Sequence, residues 1–383
     1  MMTAAAGAWA QSTTVVTREG SAWVETTMGT IMAPEAAQLK VETRGNVAVR
    51  GDGGPQVSYT VRKRVQARSE AEARALFAAC EFRSRRLGPV VYLTMQAPAR
   101  TLVSPELDIH APRPMRHVIV DTVSGSLQFF DLGAEVQAMT GGGPVTADRM
   151  GSGLSVRTGG GDIRLGTIGG WVRATTAGGP IYLKKSGGEA ILETGGGEIV
   201  VEESEGGVQA STGAGNVDVT RAAGAVQART NGGVIHVKEA GGLVTAESAG
   251  GAIQISAAKG VKCEAAAGGI RLRGVSGEVR AATNLGSILA ELLGGRGMLD
   301  SYLTTSNGDI TVVIPSNLAV TVEAMNESPG RTGAIISEFS EIRVQPGSPR
   351  NRNRVMASGS LNGGGPVLRI AANEGTIFLR RQR

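Results

Sequence analysis

Ten aliphatic residues recur along the middle of this chain at every eighteenth position, with one slip of a single residue: Leu127, Val145, Ile163, Ile181, Ile199, Val217, Ile235, Ile253, Ile270 and Ile288. Glycine keeps the same beat two places upstream of most of them, from Gly143 through Gly161, Gly179 and Gly197 to Gly286. An eleventh rung stands at Ile310, behind Gly308, after a four-residue insertion. A self-similar period of ~20 residues marks an architecture of stacked repeats. It predicts an all-β fold, a single-stranded parallel β-solenoid with two strands and about 18 residues per coil. Parallel crossovers are right-handed, and so is the expected coil.

A specimen coil, Val208 to Val219, reads as an alternating strand, a glycine corner and a second alternating strand. Alternation with period two puts one face of each strand inside. The first strand would bury Val172, Val208, Val226, Val244 and Val279, each followed two residues later by an alanine. The second would bury Ile163, Ile181 and Ile199 with Leu165, Leu183 and Val201. Thr140, Thr158, Thr176, Thr194, Thr212, Thr230 and Ser248 form a further column at the corner, read as structural hydroxyls that bond along the ladder or to the turning backbone. The glycine before each second strand is expected to supply φ > 0. A single coil buries too few aliphatics to offset the ordering of its own backbone, so stability must come from stacking.

Glycine contributes 57 of 383 residues and aromatics only 3%, a composition that would suggest a flexible linker were the aliphatics not in register. Four segments follow from the change of pattern. Residues 1–11 read either as the end of a secretory signal with an Ala8-x-Ala10 cleavage site or as a disordered terminus. Residues 12–117 form a mixed amino-terminal cap containing the one convincing helix, over 69–87. That helix starts at Ser69 with Glu72 in capping-box spacing, carries Ala73, Leu76, Phe77 and Cys80 on one face, and stops near Gly88. Residues 118–314 form the solenoid, and 315–383 a carboxy-terminal β cap with a basic tail. Caps are needed because an open stack exposes unpaired strand edges.

The longest assembled motifs resemble a known family. They are Leu39-Lys-Val-Glu-Thr-Arg-Gly-Asn-Val-Ala-Val-Arg-Gly51, the Gly-Gly-x-Ile-x-Val coils, and the closing stretch from Leu361-Asn-Gly-Gly-Gly-Pro to Ile377-Phe-Leu379. Together they resemble the putative-adhesin, β-strand-repeat domain of unknown function of bacterial cell-envelope proteins, over most of the chain from about residue 38. The resemblance implies a β-solenoid in an exported or envelope-facing protein, located in the periplasm, on the outer surface or outside the cell. It brings no catalytic residues to carry over.

Chemistry is sparse. Outward positions of the second strand run Arg164, Tyr182, Val200, Asp218, His236, Gln254 and Arg271, which makes Asp218 and His236 neighbours on successive coils. An Asp beside a His can orient it as a general base, yet no nucleophile is placed beside them, and a solvated ladder is the favoured reading. Asp218, His236 and Arg271 are therefore the weak candidate binding residues. Three histidines and the distant Cys80 and Cys263 offer no transition-metal set, and both cysteines read as small buried hydrophobes. Gly159-Gly-Gly-Asp162 faintly resembles a calcium-binding β-roll repeat, but Pro180, Glu198 and Asn216 stand at the next equivalent positions. Glycine loops that enter strands instead of helices disfavour nucleotide binding, and no cofactor is expected.

Formal charge is +5, with basic clusters at Arg62-Lys63-Arg64, Arg83 to Arg86, Arg350 to Arg354 and Arg380 to Arg383. These read as solvated surface, with attraction to an anionic envelope surface as the sharper alternative. No stretch is long and apolar enough for a spanning helix. Two function classes compete. One is a noncatalytic adhesin-like scaffold that contacts a glycan, another protein or its own kind. The other, by fold analogy alone, is a carbohydrate-active enzyme on a β-helix. Specific nucleic-acid recognition is not expected, for want of stacking aromatics and of a groove-reading helix.

Overall fold

The computed structural model describes residues 11–34, 37–98, 102–295, 297–327, 334–345 and 354–382. The candidate cleavage site at Ala8 to Ala10, residues 350–353 and Arg383 lie outside the described residues. The chain divides into two compact units, Met1–Gly188 and Glu189–Arg383.

Within the amino-terminal unit the aliphatic ladder pairs as its spacing requires. Leu127 lies opposite Val145, Val145 opposite Ile163, and Ile163 opposite Ile181, all in parallel strands. The carboxy-terminal unit continues in the same manner from Ile199 through Val217, Ile235, Ile253 and Ile270 to Ile288 and Ile310. Each coil contributes one strand to each of two faces, and the inward columns are almost wholly excluded from solvent: Val208, Val226 and Val244 at 0–1% exposure, Ile181, Ile199 and Ile235 at 0%. The alanines two residues on, Ala210, Ala228 and Ala246, are buried with them. The slip of one residue is absorbed at the corner before Val261, where Gly260 takes φ 104°.

The glycine column corrects one expectation. Of the glycines that precede the second strand, Gly125 and Gly308 have φ in the left-handed region (127° and 147°), whereas Gly143, Gly161, Gly179, Gly215, Gly233 and Gly251 do not. What these positions require is close approach. A Cβ built on Gly161 would overlap the carbonyl oxygen of Gly143, one on Gly143 that of Gly125, and one on Gly233 that of Gly215. Backbone rests directly on backbone from coil to coil, and only hydrogen fits between.

The ends depart from sequence order. Ten strands and the helix open the chain: β1 (Gln11–Glu19), β2 (Ala22–Met32), β3 (Gln38–Thr43), β4 (Asn46–Asp52), β5 (Gln56–Val65), α1 (Glu70–Ala78), β6 (Glu81–Leu87), β7 (Val90–Gln96), β8 (Ser104–Pro112), β9 (His117–Thr122) and β10 (Leu127–Phe130). β3 and β4 make the first coil, stacked on β9 and β10 with Val47 opposite Leu127. The intervening residues cover its other side: β7 and then β6 add to β3, while β8, β5, β2 and β1 add in turn to β4. In the carboxy-terminal unit the last strands, Val367–Glu374 and Ile377–Arg381, slot in after Ser301–Asn307 and Ile310–Ile314, with Ile377 opposite Ile310. The earlier segments Val320–Asn326 and Ile335–Ser337 then pair on their far side.

The helix begins where its capping signal stands. Ser69 Oγ accepts from the Glu72 amide at 3.2 Å, and Glu72 Oε2 accepts from the Arg68 amide at 2.8 Å. Ala73, Phe77 and Cys80 bury themselves against Val65 and Val103. The expected helix over 69–87 ends instead at Ala78. Residues 81–87 alternate, and Gly88 at φ 57° turns them into an antiparallel hairpin with β7, a longer-range pairing that outweighs local helix propensity.

Gly161→Ala is expected to destabilise the full chain by about 3 kcal/mol, since its neighbour is backbone and cannot yield. Gly160→Ala, where a Cβ meets nothing within 4 Å, is expected to stay within about 0.5 kcal/mol of wild type. Denaturant unfolding of both variants checks the contrast.

Candidate functional site

The threonine column is a clamp on the glycine corners. Each hydroxyl donates to a glycine carbonyl in the preceding coil: Thr140 to Gly125 and Thr158 to Gly143 at 2.8 Å, Thr176 to Gly161 at 2.9 Å. In the carboxy-terminal unit Thr212 donates to Gly197 at 2.7 Å, Thr230 to Gly215 at 2.9 Å and Ser248 to Gly233 at 3.1 Å. The same oxygens accept from the glycine amide three residues ahead, as Thr230 does from Gly233 at 3.0 Å. The column extends further than its strict spacing suggested, since Thr122 donates to Gly45, Thr283 to Gly268 and Thr305 to Gly286, each at 2.9 Å. A hydroxyl committed both as donor and as acceptor to backbone is a structural group.

The first coil breaks this pattern. Thr43 lies opposite Thr122 in register and is 5% exposed, yet its Oγ1 has no hydrogen-bond partner. β7 pairs with β3 only as far as Thr94 opposite Glu42. Beyond that point Met95, Gln96 and Ala97 diverge, and no stacked glycine carbonyl reaches Thr43. The divergence opens a groove of about 690 Å³ over the first four coils, with Met95, Val123 and Met139 among its apolar lining and Glu42, Asp121, Arg44 and Arg157 among its charged lining.

Register sets the electrostatics of this groove. Glu42 and Asp121 stand directly opposite on adjacent strands, and Met139 follows Asp121 on the next. Lys40 meets Glu42 at 2.9 Å, and that hydrogen bond raises the lysine above its ordinary pKa. Burial pushes the Asp121 carboxyl up, Lys40 pulls against it, and the neighbouring Glu42 charge adds to the rise. Repeat spacing does not reveal this site. Its members come from segments widely separated along the chain, and the signal in the sequence is that Thr43 and Gly45, two places before Val47, repeat the corner of the coils with one residue deleted.

The sequence-derived candidates fall in the carboxy-terminal unit. Asp218 lies opposite His236, His236 opposite Gln254, and Gln254 opposite Arg271. His236 Nδ1 is 3.4 Å from Asp218 Oδ2, and both side chains are half exposed, at 40% and 45%. Arg271 is separated from His236 by the whole Gln254 strand, roughly 10 Å at the usual strand spacing, so the three do not converge. The Asp218–His236 contact belongs to a broader pattern of charge pairs between successive coils. Arg229 meets Glu247 at 3.2 Å, Arg273 meets Glu291 at 3.1 Å, and Arg221 approaches Glu203 at 3.8 Å. Such half-exposed pairs each contribute little stability.

The basic clusters are largely engaged. Lys63 is buried against Glu25 at 2.7 Å and the Phe77 carbonyl, Arg62 meets Glu19 at 2.9 Å, and Arg83 meets Glu81 at 2.8 Å. Among the described residues no three His, Cys, Asp or Glu gather as metal donors would, and Asp162 pairs with Arg164 at 2.9 Å. Cys80 and Cys263 are buried and unpaired with each other, and burial pushes the Cys263 thiol far up.

The family model described as Toastrack DUF4097 matches residues 95–332. The chain belongs to the Toastrack DUF4097 family. The Toastrack match thus includes most of the coils in both units, and the resemblance read from the glycine corners agrees with it. No curated protein matches the chain. Among solved structures, the Toastrack chain is similar to a putative cell adhesion protein from Clostridium sporogenes at 10% identity, over 98% of this chain and 100% of that one, with a TM-score of 0.18. A putative adhesin from Bacteroides fragilis matches at 13% identity over 64% and 95%, TM-score 0.29. One from Parabacteroides distasonis matches at 13% over 72% and 96%, TM-score 0.30.

Two substitutions separate the clamp from the groove. Thr230→Val is expected to cost about 1–3 kcal/mol, because a buried glycine carbonyl and amide lose their partner. Thr43→Val removes a hydroxyl that has none, and is expected to leave stability unchanged or raise it. Thermal melts compare them.

Asp121 holds its proton more tightly in the folded protein than in the unfolded chain, so its charged form costs stability at neutral pH. Asp121→Asn is therefore expected to raise Tm at pH 7, with the advantage closing as pH falls below about 4. A pH series of melts reads the difference.

Proposed function

We propose that this protein is a noncatalytic, exported scaffold of the bacterial cell envelope, and that it contacts a glycan or a partner protein through the groove over its first coil. The observation that carries this reading is the Thr43 hydroxyl. Its neighbours in the clamp, Thr122 and Thr140, each have a backbone carbonyl to bond, and Thr43 alone among the described residues of that column is buried without one. Oγ1 itself is shielded in the free protein, so a shift of the Arg44–Gly45 corner that admits a ligand carbonyl or hydroxyl would complete the bond. Around it the lining supplies carboxylates, guanidiniums and thioethers, a set able to hold a polar chain by hydrogen bonds along its length and by apolar contact on one face. Export rests on the Ala8-x-Ala10 pattern and on the envelope setting that the resemblance implies.

The test has two arms. Purified chain is expected to co-sediment with envelope fragments, and Met139→Ser, which adds no charge beside Asp121, to lower the bound fraction at least about tenfold with Tm unchanged, as loss of a central contact in a groove does. Equal binding by the variant overturns the role of the groove. In the second arm, wild type and the Asp218→Ala, His236→Ala double variant are incubated with acidic and neutral polysaccharides, and neither is expected to shorten them. Turnover that disappears in the double variant would establish the carbohydrate-active enzyme instead.

A further inference from the structure

The strand that opens the described chain is an edge without the usual protections. β1 pairs with β2 alone among the described residues. Three other described strands have a single neighbour. β6 carries Glu81, Arg83, Arg85 and Arg86, while Ile335–Ser337 and Arg343–Gln345 are three residues long. Short length and charge are the devices that keep strand edges from pairing with another chain. β1 is nine residues long, and its central run Thr13-Thr14-Val15-Val16-Thr17 has neither charge nor proline. It is also well anchored. The Gly20-Ser21 turn, with Gly20 at φ 62°, closes the hairpin, Val16 packs on the cluster of Val65, Ala73, Phe77, Cys80 and Val103, and Glu19 pairs with Arg62.

The alternation of this hairpin decides which groups face outward. In a two-residue hairpin the residues flanking the turn, here Glu19 and Ala22, exchange both hydrogen bonds. The bonded positions of β1 are then the odd-numbered ones. Ser12, Thr14, Val16 and Arg18 therefore turn their amides and carbonyls to the open edge.

We propose that two copies of this chain pair through β1, antiparallel about a two-fold axis at Val15. Centred there, Ser12 faces Arg18 of the second copy and Thr14 faces Val16, so all four outward positions on each strand find partners, giving about eight hydrogen bonds. Thr13 meets Thr17, and Glu19 meets Gln11, so no like charges oppose. Val15 meets its own counterpart in a non-hydrogen-bonded pair, where the Cα atoms stand about 4.5 Å apart. Its side chain, 52% exposed in the single chain, becomes covered. β-Branched residues at the axis suit such a pair. The interface is isologous, so it closes at two copies and does not propagate.

The full chain tests this directly. Sedimentation equilibrium is expected to give twice the chain mass at high concentration, and Val15→Lys, which sets two ammonium groups against each other on the axis, to weaken association at least about tenfold. Val15→Cys, with oxidised glutathione as the oxidant, is expected to yield a disulfide-linked dimer, since Cys80 and Cys263 are buried and do not compete. Thr13→Cys is the control. Its two copies would lie about 13 Å apart across the axis and cross-link only at the rate of random collision. A chain that stays monomeric at every concentration, or Val15→Cys and Thr13→Cys cross-linking equally fast, overturns the proposal. A dimer untouched by Val15→Lys does the same. These outcomes are independent of the groove, whose variant Met139→Ser leaves β1 intact.

Discussion

Everything in both units depends on backbone lying against backbone at the glycine corners. A Cβ on Gly143, Gly161, Gly215 or Gly233 would collide with the carbonyl of the coil beneath, and that same carbonyl accepts from a threonine hydroxyl, of Thr140, Thr158, Thr212 and Thr230 respectively. The corner thus solves two problems at once. A tight turn leaves peptide groups that strand pairing cannot satisfy, and the hydroxyl bonds them while the missing side chain lets the coils approach to strand spacing. Aliphatic columns inside the coil follow from that spacing: aliphatic residues stack on aliphatic residues, and Val226 meets Val208 in the same register in which Thr230 meets Thr212.

A repeat of this kind needs a different solution where it stops. In the amino-terminal unit β7 and β8 pair onto the first coil with β6 and β5 beyond them, and in the carboxy-terminal unit the last strands of the chain insert before segments that precede them in sequence. Ends are also where the repeating bonds fail. Thr43 keeps the residue type of its column but loses the carbonyl that the type serves, and the groove beside it exists for the same reason. The outward ladders differ from this. Asp218 with His236, and Arg229 with Glu247, are charge pairs between equivalent positions, and such pairs recur wherever two adjacent coils carry opposite signs.

Much of the fold was legible because translation repeats each neighbour. The pairing of Ile235 with Val217 and Ile253, the burial of Ala228 and the structural role of Thr176 all follow from a single repeat period. The helix boundary was not legible to the same degree. Ser69 and Glu72 announce its start locally, but its end depends on Phe82 to Leu87 finding β7, a partner across a hairpin. The glycines were recognised as necessary for the wrong reason, since a residue type records that a side chain is forbidden without recording whether φ or a neighbouring carbonyl forbids it.

By itself, then, the sequence determined the coil: its length, its inward columns, its glycine corners and its clamp of hydroxyls, each set by contacts between residues at a constant separation. Only the tertiary structure decided how the coils begin in the amino-terminal unit and finish in the carboxy-terminal one, which described strands are left with one neighbour, and where a buried hydroxyl goes unbonded. Those features arise where the symmetry of the repeat is broken. The groups that meet there lie at irregular distances along the chain, so no periodic signal marks them in advance.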